Sequence, residues 1–375
     1  MNNVYQEGKD FAKSYILPYT ELTDKESKFP EESFKELGDK GYLKLLVPEE
    51  YGGSGKGLVE HAEACLAFAE SCSTTALCYM MHNVALMCVI TYGSDELKKK
   101  IFSGIVEKGE FLALAFSEIG TGTHFYNPEI SAEVNGDNTI FNGTKSMVTS
   151  ATYASYYLVL APSVEEGKIN NWVFPIEEKG LSFEMSTWNG LGMRGNSSCP
   201  MHFDNVTLDS SYRIGEEGSG EEQVFNVVAP FFITGLGSVY SGTAMHMFEE
   251  VSKHAVDRKY PDESSLSNIE TVQTHIGHIY KNAAAARALT LDAANAGANQ
   301  EADALAKILA ARIFASEAAI ECGTLAMRVG GGKAYNKALP IERLLRDSYA
   351  GQVMAPSSDV LTVWLGKTLT GQMIP

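Results

Sequence analysis

The spacing of apolar residues changes twice along this chain, and each change limits what that stretch can become. Up to about residue 110 they recur at helical intervals, as in Phe34, Leu37, Leu43 and Leu45, which puts one face of a helix against a core. Between Phe111 and about Glu217, short runs of β-formers take over: FLALAFS, ISAEV, TIFNG, YYLVLA, WVFPI, LSFEM and PMHFDNVTL. Turn signals such as Asn135-Gly136-Asp137 and Asn142-Gly143 separate them, predicting antiparallel hairpins or bulged connections. After the joint GEEGSGEE, helical patterns return in alanine-rich stretches such as KNAAAARALTLDAANA, whose small side chains let helices approach closely. The expected class is α+β, mostly α, in three units: a helical domain over 1–110, a β-domain over 111–217 and a helical bundle over 218–375.

Charge excludes some functions. A formal net charge of −17 would repel a phosphate backbone or an anionic membrane surface, so neither nucleic acid nor membrane is an expected partner. The densest basic run, Lys98-Lys99-Lys100, is expected at a helix C-terminus, where cations are favourable. No window approaches the roughly 18 uninterrupted apolar residues of a membrane span, and MNNVYQEGKDFAK holds no apolar signal core. Six cysteines without a CxxC pair read as reduced core thiols of a cytoplasmic protein.

Several motifs suggest chemistry and fail on inspection. GGSGKG (52–57) and VGGGKAY (329–335) set a lysine behind glycines, but Gly57 and Ala334 stand where a phosphate loop needs Ser or Thr. His275 and His278 lie three apart with no third ligand of suitable spacing, so no metal is expected. No GxSxG elbow occurs.

Seven segments, in order, resemble the acyl-CoA dehydrogenase flavoprotein family: PEEYGGSG (48–55), LAFSEIGTGTHF (114–125), FNGTKSMVTSA (141–151), LGMRGNSSCPMHFDNV (191–206), HAVDRK (254–259), RVGGGKAY (328–335) and PIERLLRDSYAGQ (340–352). The resemblance implies an N-terminal helical domain, a middle antiparallel β-barrel or sandwich, and a C-terminal four-helix bundle. It also implies FAD between the last two, with its adenine half reaching a neighbouring subunit of a homodimer or homotetramer. The cofactor contacts it assigns are Phe116, Ser117 and Thr123 on the loop after a strand, Thr149 near the flavin N5, and Met147, where many members have tryptophan. Arg258 matches a pyrophosphate ligand, and Gly330 and Gly331 match a pair passed closely by the adjacent subunit's cofactor, although Met327 replaces the glutamine usual before them. Each site has a plainer reading: a hairpin turn for the loop, strand alternation for Met147 and Thr149, a helix-end cation for Arg258, and helix packing for the glycines.

The family's glutamate base is missing. Counting through PIERLLRDSYAGQVMAPSS puts it at Ala355; the alternative position, on the first long helix of the last domain, falls at Phe232, and the arginine beside it becomes Ile233. Abstraction of an α-proton needs a positioned acceptor, typically worth about 10²- to 10⁴-fold in rate. Three readings follow. The first is dehydrogenation of a small acyl thioester, on CoA or a carrier protein, with a substitute base, for which His124 stands first and Glu118 second. The second is a flavin-dependent monooxygenase of the same fold, and the third a non-catalytic flavoprotein. Electrons would leave to a transfer partner or to oxygen. Phe231, Phe232, Met354 and Ala355 are the expected pocket wall, or ordinary core.

Overall fold

The computed structural model describes residues 4–122, 124 and 126–374. Six helices come first: α1 (Val4–Tyr15), α2 (Leu17–Lys25), α3 (Glu31–Asp39), α4 (Leu58–Ala69), α5 (Ser73–Tyr92) and α6 (Asp95–Lys108). Helix α6 shows how the sequence sets its own ends. The Ser94 hydroxyl accepts from the Leu97 N–H at 3.2 Å, Asp95 and Glu96 occupy the first turn, and Gly109 closes the helix in a left-handed conformation. The run Lys98-Lys99-Lys100 therefore lies in the first half of α6 and not at a C-terminus; the basic residue of the last turn is Lys108.

Helix α5 is buried almost all round, as expected of a helix apolar on every face. Both α5 and the rod over Gly220–Asp257 are long and apolar enough to cross a membrane, but each is mostly buried inside this fold. They are its core helices.

The middle of the chain forms β1 (Leu112–Ala115), β2 (Ser131–Asn135), β3 (Asn138–Val148), β4 (Tyr156–Pro162), β5 (Ile169–Pro175), β6 (Leu181–Phe183), β7 (Cys199–Asp209) and β8 (Arg213–Ile214). They make two four-stranded sheets, ordered β1-β4-β5-β8 and β2-β3-β7-β6. Every pairing is antiparallel except β1 with β4. Aromatic rings fill the space between the sheets: Phe141 meets Trp172 and Phe174 edge-on at 5.1 and 4.8 Å, and Phe174 meets Phe203 at 5.1 Å. Asn135-Gly136-Asp137 makes the β2–β3 turn, whereas Asn142-Gly143 lies inside β3, where the register with β7 shifts.

The last unit is α7 (Gly220–Gln223), a wider π-type turn over Val224–Val228, then α8 (Ala229–Asp257), α9 (Glu270–Ala298), α10 (Ala304–Tyr335), α11 (Ile341–Val353) and α12 (Ser358–Leu369). Helices α8 to α11 pack as the bundle and α12 lies against α10 and α11. Close approach of α8 to α4 depends on Gly242, where an added Cβ would sit 2.3 Å from the Leu66 carbonyl oxygen.

Candidate active site

A cavity of about 450 Å³ opens where the β-domain meets α5, α8 and α11. Its walls come from the exit of β1 (Phe116, Ser117), the end of β3 (Met147, Thr149), the loop over 188–198, the start of α8, and the end of α11 with the turn beyond it.

The β wall is shaped by a bulge. Register runs from Lys145 opposite Met201 to Val148 opposite Cys199, and in between Met147 takes a left-handed backbone (φ 48°) and stands 65% exposed. A bulge re-aims a side chain that strict alternation would have buried or hidden. The Ser146 N–H donates to the Ser117 carbonyl at 2.7 Å, stitching the bulge to the β1 exit, and the Thr149 and Ser198 hydroxyls share a 2.9 Å hydrogen bond. Ser150, Thr152, Met193 and Ser197 are also left-handed, so five of the ten non-glycine residues with positive φ among the described residues fall in these two facing segments. Strained backbone persists only where its surroundings over-determine it, and it clusters at functional sites.

On the helical side, the π-type turn ends at Val228, and Val228 and Ala229 both reach the cavity; such turns recur at functional sites. Among the described residues no Asp, Glu, His, Lys, Arg, Cys or Tyr lines this space. The polar side chains are Ser117, Thr149, Asn196, Ser198 and Trp188, and the Trp188 indole N–H already donates to the Arg194 carbonyl at 2.7 Å. Ala355, Phe232 and Ile233 all stand in the wall, so both places where the family resemblance puts a base are apolar surface of the cavity itself.

Charge sits one layer behind. The Asp347 carboxylate accepts from the Met193 N–H at 2.5 Å and is buried; burial pushes its pKa up to about 6. Beside it, Arg346 grips Asp24 of α2 with two nitrogens at 2.6 and 3.0 Å, reaches Glu342 at 2.7 Å, and donates to the Leu191 carbonyl at 3.0 Å. This adjacent pair thus ties all three domains together next to the cavity. Arg312, fully buried, donates to the Ser316 hydroxyl and, at 2.6 Å, to the Gly351 carbonyl; burial pulls its pKa down to about 10. The buried histidines serve packing. His82 joins the Leu43 carbonyl at 2.7 Å and accepts from the Leu112 N–H at 3.1 Å, His61 meets the Phe231 carbonyl at 3.2 Å, and burial lowers both to about 4.

The structure gathers Phe116, Ser117, Met147, Thr149, Phe232, Met354 and Ala355 around one cavity. Phe231 lies behind it, its ring against His61 at 5.4 Å. His124 is exposed, outside the lining, with Nδ1 2.8 Å from the Tyr126 hydroxyl. Glu118 is engaged by Lys145. Thr123 lies outside the described residues. Arg258 is exposed over the Tyr260 ring, away from the cavity. Gly330 is buried, and a Cβ there would meet Ala334 at 2.6 Å, whereas Gly331 (φ 52°) and Gly332 face open space; the open pair is thus 331–332, one residue further on than 330–331. Sequence reasoning passed over Met193, Trp188, Val228 and Asp347. The LGMRGNSS segment pointed toward the first and PIERLLRDSYAGQ contained the last, whereas nothing in the sequence marked Trp188 or Val228.

These walls fit a flavin ring. The cavity is mainly apolar, and its few hydroxyls lie on the β side at Ser117, Thr149 and Ser198, where the polar edge of such a ring could be met by Thr149 and Ser117.

Sequence models of the acyl-CoA dehydrogenase N-terminal, middle and C-terminal domains match residues 2–109, 113–206 and 234–369. A probable acyl-CoA dehydrogenase of Mycobacterium leprae is 27% identical over 364 residues, covering 96% of this chain and 92% of that protein. The human mitochondrial short-chain specific acyl-CoA dehydrogenase is 26% identical over 356 residues, covering 94% of this chain and 85% of that one. A glutaryl-coenzyme A dehydrogenase solved with glutaryl-CoA shares the fold, with TM-score 0.91 at 22% identity, covering 99% of this chain and 95% of that one.

Proposed function

This chain belongs to the acyl-CoA dehydrogenase family, and from that premise we propose that it oxidises the uncharged, apolar acyl part of a thioester carried by CoA or a carrier protein. Proteins of this family are FAD-dependent. Bound FAD would supply the two-electron acceptor, with Phe116, Ser117, Met147 and Thr149 as the wall that holds its ring. The observation that carries the reading is the cavity: about 450 Å³, enclosed by Met81, Phe232, Ile233 and Met354 opposite that wall, without a charged side chain among the described lining residues. A distal carboxylate or ammonium on the substrate would have to shed water with no partner, a cost of several kcal/mol. A carbon chain enters at no such cost. Because Ala355 and Phe232 cannot accept a proton, removal of the α-proton falls to solvent or to a group on the substrate.

The titratable-free wall also favours a second reading, hydroxylation of a neutral substrate with dioxygen, which needs no carboxylate base at either position. Anaerobic mixing with butyryl- and hexanoyl-thioesters should bleach the oxidised flavin under the first reading, with glutaryl- and aminoacyl-thioesters inert. Silence across the neutral thioesters, together with label from ¹⁸O₂ appearing in a product, would overturn it in favour of the second.

Assembly belongs to the same proposal. The open space at Gly331 and Gly332 and the exposed Tyr335, Val353, Val363 and Leu369 support a homodimer or homotetramer in which a second copy covers this end, and exposed Arg258 would then meet the cofactor's phosphates. An electron-transfer protein or oxygen completes the cycle. Six free, buried cysteines support a reducing, cytoplasmic setting.

A further inference from the structure

We propose that the buried Lys145–Glu118 pair is the positioning device of the cofactor wall, locking the segment that carries Phe116 and Ser117 to the bulge that carries Met147 and Thr149. Both side chains are shut from solvent, at 0% and 3% exposure, with Nζ 2.5 Å from Oε1; among the described residues no other ion pair is buried to this degree on both sides. Lys145 also donates toward the Phe116 carbonyl at 3.4 Å, and the second Glu118 oxygen accepts from the Glu129 N–H at 2.9 Å. The Glu118 carbonyl in turn receives the Thr121 hydroxyl at 3.2 Å. One lysine nitrogen and one carboxylate therefore hold two backbone points around the loop after β1, the Phe116 carbonyl and the Glu129 N–H.

Position along β3 makes the pair matter. Lys145 is the last residue in register with β7 before the bulge, and Met147, two residues on, is turned into the cavity mouth. The Ser146 N–H to Ser117 carbonyl bond fastens the same two segments from the other side. Phe116 and Ser117 share no strand pairing with Met147 and Thr149, so their relative placement depends on these cross-links. Burial pulls the Lys145 pKa down to about 8 against the opposing pull of Glu118. A buried ion pair contributes little to stability compared with apolar residues of the same size. Its physical return here is a fixed geometry for two wall segments that must present their backbone and hydroxyl groups together.

The test uses the full-length protein purified with FAD and the variants Lys145→Met, Glu118→Gln and the two combined. FAD affinity is read from flavin fluorescence on dilution, the ring's surroundings from the shape of its visible absorption bands, and folding from circular dichroism and thermal midpoint. Each single variant should keep its circular dichroism but bind FAD about 10- to 100-fold more weakly, the scale seen when outer partners of a bound group are lost, with altered flavin bands. The combined variant should lose less than the product of the two, because no buried charge is left unpaired. Wild-type FAD affinity and bands in a folded Glu118→Gln variant would overturn the proposal, even if Lys145→Met does not fold. Failure of the wild type itself to bind FAD would strike the cofactor assignment instead, so the two outcomes stay distinct.

Discussion

Replacing Asp347 by Asn gives a quantitative check on the layer behind the cavity. Its carboxyl is buried, accepts from the Met193 N–H at 2.5 Å, and titrates near 6 instead of its ordinary 3.8 because burial disfavours the charge. At 1.36 kcal/mol per tenfold change in proton affinity, that rise corresponds to about 3 kcal/mol. A carboxyl whose folded pKa is raised contributes its stability fully below the unfolded value, and loses it as pH climbs through the folded value. The ionised group is therefore a burden near neutrality that the wild type sheds on acidification, and about half of it, ~1.5 kcal/mol, is shed between pH 8 and pH 5. Asparagine keeps an oxygen for Met193 and has no charge to bury. Urea unfolding at saturating FAD, from pH 8 to pH 5, should show the wild type gaining ~1.5 kcal/mol on Asp347→Asn. A difference independent of pH, or one sloping the other way, would refute the reasoning. Asp347→Ala, which leaves the Met193 N–H unpaired, should instead raise KM through a loosened 188–198 wall, at an unfolding cost of about 1–3 kcal/mol.

Ala355→Glu sets a carboxylate in the cavity wall; anaerobic flavin reduction by short acyl thioesters should accelerate at least about 10²-fold, and an unchanged rate would show that proton removal does not limit the wild type. Gly192→Ala would put a Cβ 2.3 Å from the Arg346 carbonyl oxygen, so the thermal midpoint should fall by an amount equivalent to about 1–3 kcal/mol; a neutral substitution would disprove this close approach. His124→Ala should leave flavin reduction within about threefold of wild type because the ring stands outside the lining; a loss of about 10²-fold or more would reinstate it as the base.

Local chemistry is what a sequence carries best, and the three-part alternation of helical and strand periodicity, the cap at Ser94 and the Asn135-Gly136 turn are all set by neighbours a few residues away. The missing glutamate was equally legible, because an apolar Ala355 or Phe232 cannot titrate in any fold. Placement across domains was not. That Met193 and Val228 share a wall with Met147, that Lys145 pairs with Glu118 behind that wall, and that Asp347 spends its carboxylate on a backbone N–H are consequences of which segments meet. Segments 27 to 154 residues apart in sequence meet through packing of whole elements, and that packing alone fixes the distance and the desolvation that give a charged side chain its task.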